Sequence, residues 1–178
     1  MAKSDSRPIT VVGLDPGLAN LGLGAVREEG RSSHFLAARL VVTHSRSSRA
    51  DRLSHIYQEV SEFLLEHRPD ALAIEGQFFH RQKETAFKVG QAVGVVLLAA
   101  ERAGVTVHEY GPMAVKQALV GTGRASKEQV AYMVRGLLTL PGDSAAQNVA
   151  SHHVADALAL ALTHLSARRL GALTLAAR

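Results

Sequence analysis

The pattern of apolar and polar residues predicts a β-rich first third of the chain. Residues 9–14 form an apolar, β-branched run that stops at Asp15, where Pro and Gly turn the chain sharply. A second strand-like run follows at about 21–26 and a third at about 35–42. We therefore expect an antiparallel meander of three strands, followed by a polar, basic loop.

Helical periodicity takes over in the middle of the chain. Apolar residues recur at helical spacing over about 50–66, and a short apolar strand over 71–75 ends on Glu75. A long helix follows over about 83–103, and its apolar second half predicts packing on two sides. A further strand is expected at about 105–110.

Helix start signals dominate the last third. Pro112 suits the first position of a helix, and Ser126 with Gln129 three residues later has the form of a capping box. A polar loop over about 141–150 precedes a last helix from about 151 to 169. Strands and helices in this order predict an α/β fold, a mixed sheet with helices on its faces, whose ligands lie at the carboxyl ends of the central strands.

Length and composition narrow the class of protein. A chain of 178 residues with 47% apolar residues and a net charge of +4 can bury a core and remain basic, which permits a polyanionic partner. We expect one domain over 1–178, with flexible ends at about 1–8 and 171–178. The absence of Cys excludes disulfides, thiolate zinc sites and a cysteine nucleophile, and the sequence lacks a signal-peptide-like apolar stretch; both favour the cytoplasm.

Two carboxylates are predicted at strand ends. Asp15 follows a buried strand and is presented at its end, although Asp before Pro-Gly also serves simply to open a β-turn. Glu75 closes an apolar strand, where its charge needs a positive partner such as a divalent cation; the alternative is a side chain that reaches solvent or an Arg.

A third acidic group lies near the start of the last helix. His153 and Asp156 are three residues apart, which places them on one helix face with β-carbons about 5–6 Å apart. His153 could instead only cap the first turn or hydrogen-bond to Asp156, and His152 is predicted to face another side of the helix. With the strand-end carboxylates they could form a site for Mg²⁺ or Mn²⁺, the imidazole favouring Mn²⁺, and two such ions can activate water and clamp a phosphate.

Other catalytic motifs are missing from the sequence. It contains no GxxxxGK[ST] phosphate loop, no GxSxG elbow and no HExxH motif. Nucleotide-hydrolysing, esterase and zinc-protease functions therefore lack their minimal parts.

Five motifs in order, GLDPG, AIEGQFF, GPMAVKQALVG, ASKEQV and HHVADALALALTH, resemble the RuvC family of Holliday junction resolvases over nearly the whole chain. The resemblance implies a ribonuclease-H-like fold and metal-dependent endonuclease activity on four-way DNA junctions, in recombination and repair. It also implies a homodimer that works with RuvA and RuvB. The catalytic metal ligands would be Asp15, Glu75, His153 and Asp156.

The resemblance also implies DNA contacts. Phe78 would stack on junction bases with Arg81 nearby for phosphate, and Lys116 and Lys127 would lie near the scissile phosphate; both lysines could otherwise be ordinary surface residues. Further basic candidates without individual support are Arg46, Arg49, Arg52, Arg124 and Lys83. Many family members have a carboxylate where this chain has His153, which leaves its preference between Mg²⁺ and Mn²⁺ open.

Two other functions remain open at this point. A YqgF-type ribonuclease-H-like nuclease would share the strand-Asp-Gly start but act on structured RNA. A junction-binding module without turnover is the alternative outside enzymes, but such a module has no need of all three carboxylates.

Overall fold

Six strands form one mixed sheet in the computed structural model, which describes residues 7–76, 83–139 and 151–176. The sheet order is β5-β4-β1-β2-β3-β6. The strands are β1 (Ile9–Asp15), β2 (Asn20–Glu29), β3 (Ser32–Val42), β4 (Ala71–Glu75), β5 (Thr106–Tyr110) and β6 (Leu138–Thr139). Strands β1, β2 and β3 are the predicted antiparallel meander, whereas β4, β5 and β6 each run parallel to their neighbours. The carboxyl ends of β1, β4 and β5 therefore meet at one edge of the sheet.

Helices cover both faces of this sheet, as the sequence predicts. They are α1 (Arg49–His67), α2 (Lys83–Ala103), α3 (Pro112–Val120), α4 (Lys127–Leu137) and α5 (His152–Ala176). Alternate residues of the central strands enter two separate cores: Val12 and Leu14 pack with α1 and α2, while Val11 packs with α3, α4 and α5. The mixed α/β architecture predicted from the sequence is confirmed.

Local signals set several of the helix bounds. The Ser126 hydroxyl accepts from the backbone of Gln129, whose side chain accepts from the backbone of Ser126, so the predicted capping box is confirmed. Pro112 is the first residue of α3. Helix α5 runs seven residues beyond the predicted end, to 176, and strand β6 was not predicted because two residues leave no periodic pattern.

Three glycines let α5 lie directly on the backbone of β1 and β2. A β-carbon at Gly13 would be 1.8 Å from the carbonyl oxygen of Ala157, and one at Gly22 would be 2.0 Å from that of His153. At Gly24 it would meet the Leu158 side chain at 2.6 Å. We call Gly13, Gly22 and Gly24 the glycine seat. Because it lacks side chains, the first turns of α5 come close enough to reach the end of β1.

Helix α2 packs on one side, so the prediction of packing on two sides is wrong for the described structure. Val96 and Ala100 are fully buried against α1 and the sheet, but Leu98 is 51% and Phe87 58% exposed. Leu97 is also exposed, and Gly94 lies on the same outward face. The apolar sequence of this helix therefore leaves an uncovered stripe.

Among the described residues no helix is long and apolar enough to cross a membrane.

Candidate active site

A cleft of about 610 Å³ opens where β1 and β4 end and α5 begins. Its lining contains every catalytic residue predicted from the sequence, and it also contains both predicted lysines. These six residues are Asp15, Glu75, His153, Asp156, Lys116 and Lys127. Residues far apart in the chain thus share one cleft, as the strand-end argument requires.

Asp15 and His153 are in direct contact. The Nδ1 atom of His153 lies 2.6 Å from Oδ2 of Asp15, which is hydrogen-bonding distance. His153 therefore pairs with Asp15 and not with Asp156, which was the alternative prediction. Burial raises the pKa of Asp15 above its usual range and the Asp156 charge adds to this, whereas the bond to His153 and the Lys127 charge oppose it.

Asp156 faces a cation across the cleft. The Nζ atom of Lys127 lies 3.6 Å from Oδ2 of Asp156. Lys127 is the first residue of α4, directly after the N-cap residue Ser126, so the start of that helix sets where the ammonium group lies. Its side chain is largely exposed, so this ion pair contributes little to stability and leaves the lysine able to contact a ligand.

Glu75 occupies the end of β4 as predicted. It is in register with Tyr110 of β5, and the next residue, Gly76, donates a backbone hydrogen bond to the carbonyl of Tyr110 at 3.0 Å. The two parallel strands therefore stay paired to the rim of the cleft, and this pairing fixes the backbone from which the Glu75 side chain extends.

The chemistry of these side chains fits a hard divalent cation. Three carboxylates and one imidazole offer oxygen and nitrogen donors, and the raised pKa of Asp15 indicates a buried carboxylate short of positive charge. Within 7–76, 83–139 and 151–176 no three acidic or histidine side chains are close enough to hold one ion together. Asp15 and His153 are in direct contact, and Glu75 and Asp156 line the same cleft.

Both walls of the cleft carry cations. Lys116 and Lys127 lie on the α3–α4 side, while Arg52 and Lys88 lie on the α1–α2 side. Sequence reasoning missed Lys88, whose ion pair with Glu84 four residues earlier has the spacing of an ordinary exposed helix face. His152 also lines the cleft. Phe78, Arg81 and the Lys83 side chain are outside the described residues.

Two arginines of α5 are already engaged away from the cleft. Arg168 donates to Glu28 at 3.0 Å and Arg169 donates to the same carboxylate at 2.5 Å. Glu28 is only 5% exposed, so the pair secures the second half of α5 to β2.

The sheet order and the flanking helices place the chain in the ribonuclease-H-like class of folds. A solved structure titled "T. thermophilus RuvC in complex with Holliday junction substrate" aligns with a TM-score of 0.82 and 48% identity, covering 92% of this chain and 96% of that one. The yeast mitochondrial Holliday junction resolvase Ydc2 shares the fold, with a TM-score of 0.65 at 12% identity over 88% of this chain and 78% of that one.

Sequence comparison gives the family. The family model "Crossover junction endodeoxyribonuclease RuvC" matches residues 11–164. The protein of that name from Thermus thermophilus is 48% identical over 166 residues, 92% of this chain and 97% of that protein. The chain belongs to the RuvC family of crossover junction endodeoxyribonucleases, so it is a hydrolase that acts on DNA.

Proposed function

We propose that this chain resolves four-way DNA junctions by metal-dependent hydrolysis, with Asp15, Glu75, His153 and Asp156 as the catalytic metal ligands. The observation that carries the proposal is the cleft, in which these four side chains lie between two walls of cations. A DNA strand is a polyanion, and it approaches three carboxylates only where lysines and arginines offset the repulsion.

Dependence on a divalent cation is a property of RuvC-family nucleases, and we propose two ions per site, either Mg²⁺ or Mn²⁺. Bound there, such ions supply an activated water and positive charge at the scissile phosphate. The chain's own residues do the rest: Asp15, Glu75, His153 and Asp156 would hold the ions, with Nδ1 of His153 only 2.6 Å from Oδ2 of Asp15. Lys116 and Lys127 are placed to bind the phosphate, and attack by water leaves a 5′-phosphate and a 3′-hydroxyl.

We also propose a homodimer through the exposed stripe of α2. Phe87, Gly94, Leu97 and Leu98 share one outward face, and several exposed apolar positions on one face are typical of an interaction surface. A junction with approximate two-fold symmetry is matched by two copies of one cleft, each nicking one strand.

The dimer is tested by changing one exposed leucine. Leu98→Glu should convert the dimer to a monomer in analytical ultracentrifugation. Leu65→Glu is the matched control, since Leu65 is 71% exposed on α1 and lies outside the α2 stripe. A Leu98→Glu protein that sediments as a dimer would contradict this interface.

Further partners follow from the family resemblance. We propose that Phe78 stacks on junction bases, with Arg81 near a phosphate, and that RuvA and RuvB deliver the junction. We also propose that the reaction takes place in the reducing cytoplasm, because a chain without Cys suits that compartment. Phe78→Ala should slow junction nicking while metal binding, followed by titration calorimetry, stays as in the wild type. Equal nicking rates would remove the stacking role.

The central experiment is nicking of an end-labelled four-way junction against a matched linear duplex, in Mg²⁺, Mn²⁺ and chelator. Paired nicks that need metal and occur only in the junction support the proposal. Asp15→Asn and Glu75→Gln should abolish nicking but retain junction binding, while Glu62→Gln, on the exposed face of α1, should nick normally. Preferential cleavage of structured RNA would favour a YqgF-type nuclease, and junction binding without cleavage in either metal would favour a binding module.

A further inference from the structure

Arg52 is bonded to the turn that follows Asp15. Its Nε atom donates to the hydroxyl of Thr43 at 2.8 Å, and its Nη2 atom donates to the carbonyl of Leu18 at 3.2 Å. The Thr43 hydroxyl donates to the same carbonyl at 2.5 Å, and the Thr43 backbone donates to Ala19 at 2.9 Å. We call Arg52, Thr43 and Leu18 the turn clamp.

The turn clamp is built into the fold. Leu18 is 5% and Thr43 8% exposed, so both partners of the guanidinium are held in the packed interior. The clamp joins the first turn of α1, the end of β3 and the turn that carries Asp15. Arg52 is therefore an ordered side chain, unlike most exposed arginines of a basic surface.

The same guanidinium lines the cleft. Arg52 shares the lining with Asp15 and with Lys88 of α2, on the wall opposite Lys116 and Lys127. A guanidinium has five N–H donors in a rigid plane, and the clamp bonds use two of them. An arginine whose plane is already fixed loses little conformational entropy when it binds a phosphate, for which its fork is well shaped.

We propose that Arg52 binds a backbone phosphate of the DNA strand in the cleft, on the wall opposite Lys116 and Lys127, while its clamp bonds hold the turn that carries Asp15. This inference rests on the proposed junction-resolving function and adds a substrate-binding residue to it. With cations on both sides, the strand is centred over the carboxylates instead of being drawn to one wall.

The test measures junction binding in chelator as a function of salt, because each phosphate contact contributes about 0.9 to the slope of log K against log salt. Arg52→Gln should lower the slope by about 0.9, which is roughly eightfold weaker binding at about 0.1 M salt. The matched control is Arg135→Gln, which removes one charge from the exposed last turn of α4 and should leave the slope unchanged.

Two more variants separate charge from position. Arg52→Lys keeps the positive charge and should retain the salt slope. It lacks the planar guanidinium group that makes both clamp bonds, so it should lower kcat more than it raises KM. Thr43→Val removes both hydrogen bonds of the Thr43 hydroxyl and leaves the bond from Arg52 to Leu18, so it should also lower kcat with little change in KM. Thermal unfolding of each variant checks that it is folded.

The outcomes are distinct. An unchanged salt slope in Arg52→Gln, or an equal loss in Arg135→Gln, overturns the phosphate contact while wild-type nicking leaves the proposed function standing. Wild-type protein that neither binds nor nicks four-way junctions overturns the proposed function itself. If Arg52→Gln does not fold, wild-type kcat and KM in Arg52→Lys would still overturn the inference.

Discussion

Gly22 on β2 is the position where one added methyl group most directly disturbs the proposed site. A β-carbon there lies 2.0 Å from the carbonyl oxygen of His153, whereas ordinary contact begins at 3.4 Å. The obstacle is helix backbone, which cannot turn aside as a flexible side chain can. In Gly22→Ala the first turn of α5 must therefore rise from the sheet by roughly 1 Å or more.

That displacement acts on the contact between His153 and Asp15. The two atoms are 2.6 Å apart, so moving the helix by roughly 1 Å or more takes them beyond hydrogen-bonding distance. The same movement displaces Asp156, which lies on the same helix. A misplacement of about 1 Å at reacting groups costs roughly 100-fold in rate. We expect single-turnover nicking of a four-way junction to fall by about that factor, with overpacking costing about 1–3 kcal/mol of stability.

Two other glycines provide controls. Gly24→Ala meets mainly the side chain of Leu158, with the Leu158 backbone nitrogen no closer than 3.3 Å, so its loss of rate should be smaller. Gly136→Ala on α4 meets nothing within 4 Å and should nick normally, with a helix more stable by about 0.5–1 kcal/mol. A folded Gly22→Ala protein that nicks at the wild-type rate would refute the reasoning.

Three more predictions concern charge. Glu28→Gln leaves Arg168 and Arg169 beside an uncharged buried amide and should lower the free energy of unfolding in urea by about 2 kcal/mol, less than for a fully buried pair because both arginines are part-exposed. Burial lowers the pKa of His164 below its ordinary 6.5, so the unfolded chain binds a proton more readily than the folded chain. The stability of the fold should therefore fall as the pH drops below 6.5, and it should fall less steeply in His164→Gln. Thermal unfolding at several pH values measures both. Nicking should be faster in Mn²⁺ than in Mg²⁺, and His153→Asp should shift the preference towards Mg²⁺ in the same assay.

Most of the fold could be predicted because its boundaries coincide with abrupt changes in the sequence. Strand β4 ends at Glu75 and helix α2 spans Lys83–Ala103, both as predicted, since each begins or ends where an apolar run meets charge or glycine. The apolar pattern did not predict that the outward face of α2 is exposed. Leu97 and Leu98 are apolar, but periodicity cannot distinguish a face covered by the same chain from one left for another copy.

The site residues were predictable as a set, but their pairing was not. Its position at a strand end indicated Asp15. The contact of Asp15 with His153 depends on how closely α5 approaches the sheet. That approach is set by the glycine seat, which precedes α5 by well over a hundred residues in the sequence. Lys88 was missed because a Glu four residues before a Lys is typical of a solvated helix. Arg52 was one of several basic candidates until its bonds to Thr43 and Leu18 distinguished it.

The wide spacing of the site along the chain has a consequence for biosynthesis. Asp15 leaves the ribosome early, but its partners are on α5, the last described helix, and the proposed site cannot exist before residue 156 has emerged. Contacts of such long sequence separation also form late in folding, because a large loop must close first. A nascent or truncated chain that stops before residue 156 lacks part of the proposed site, and we expect it to be unable to nick DNA.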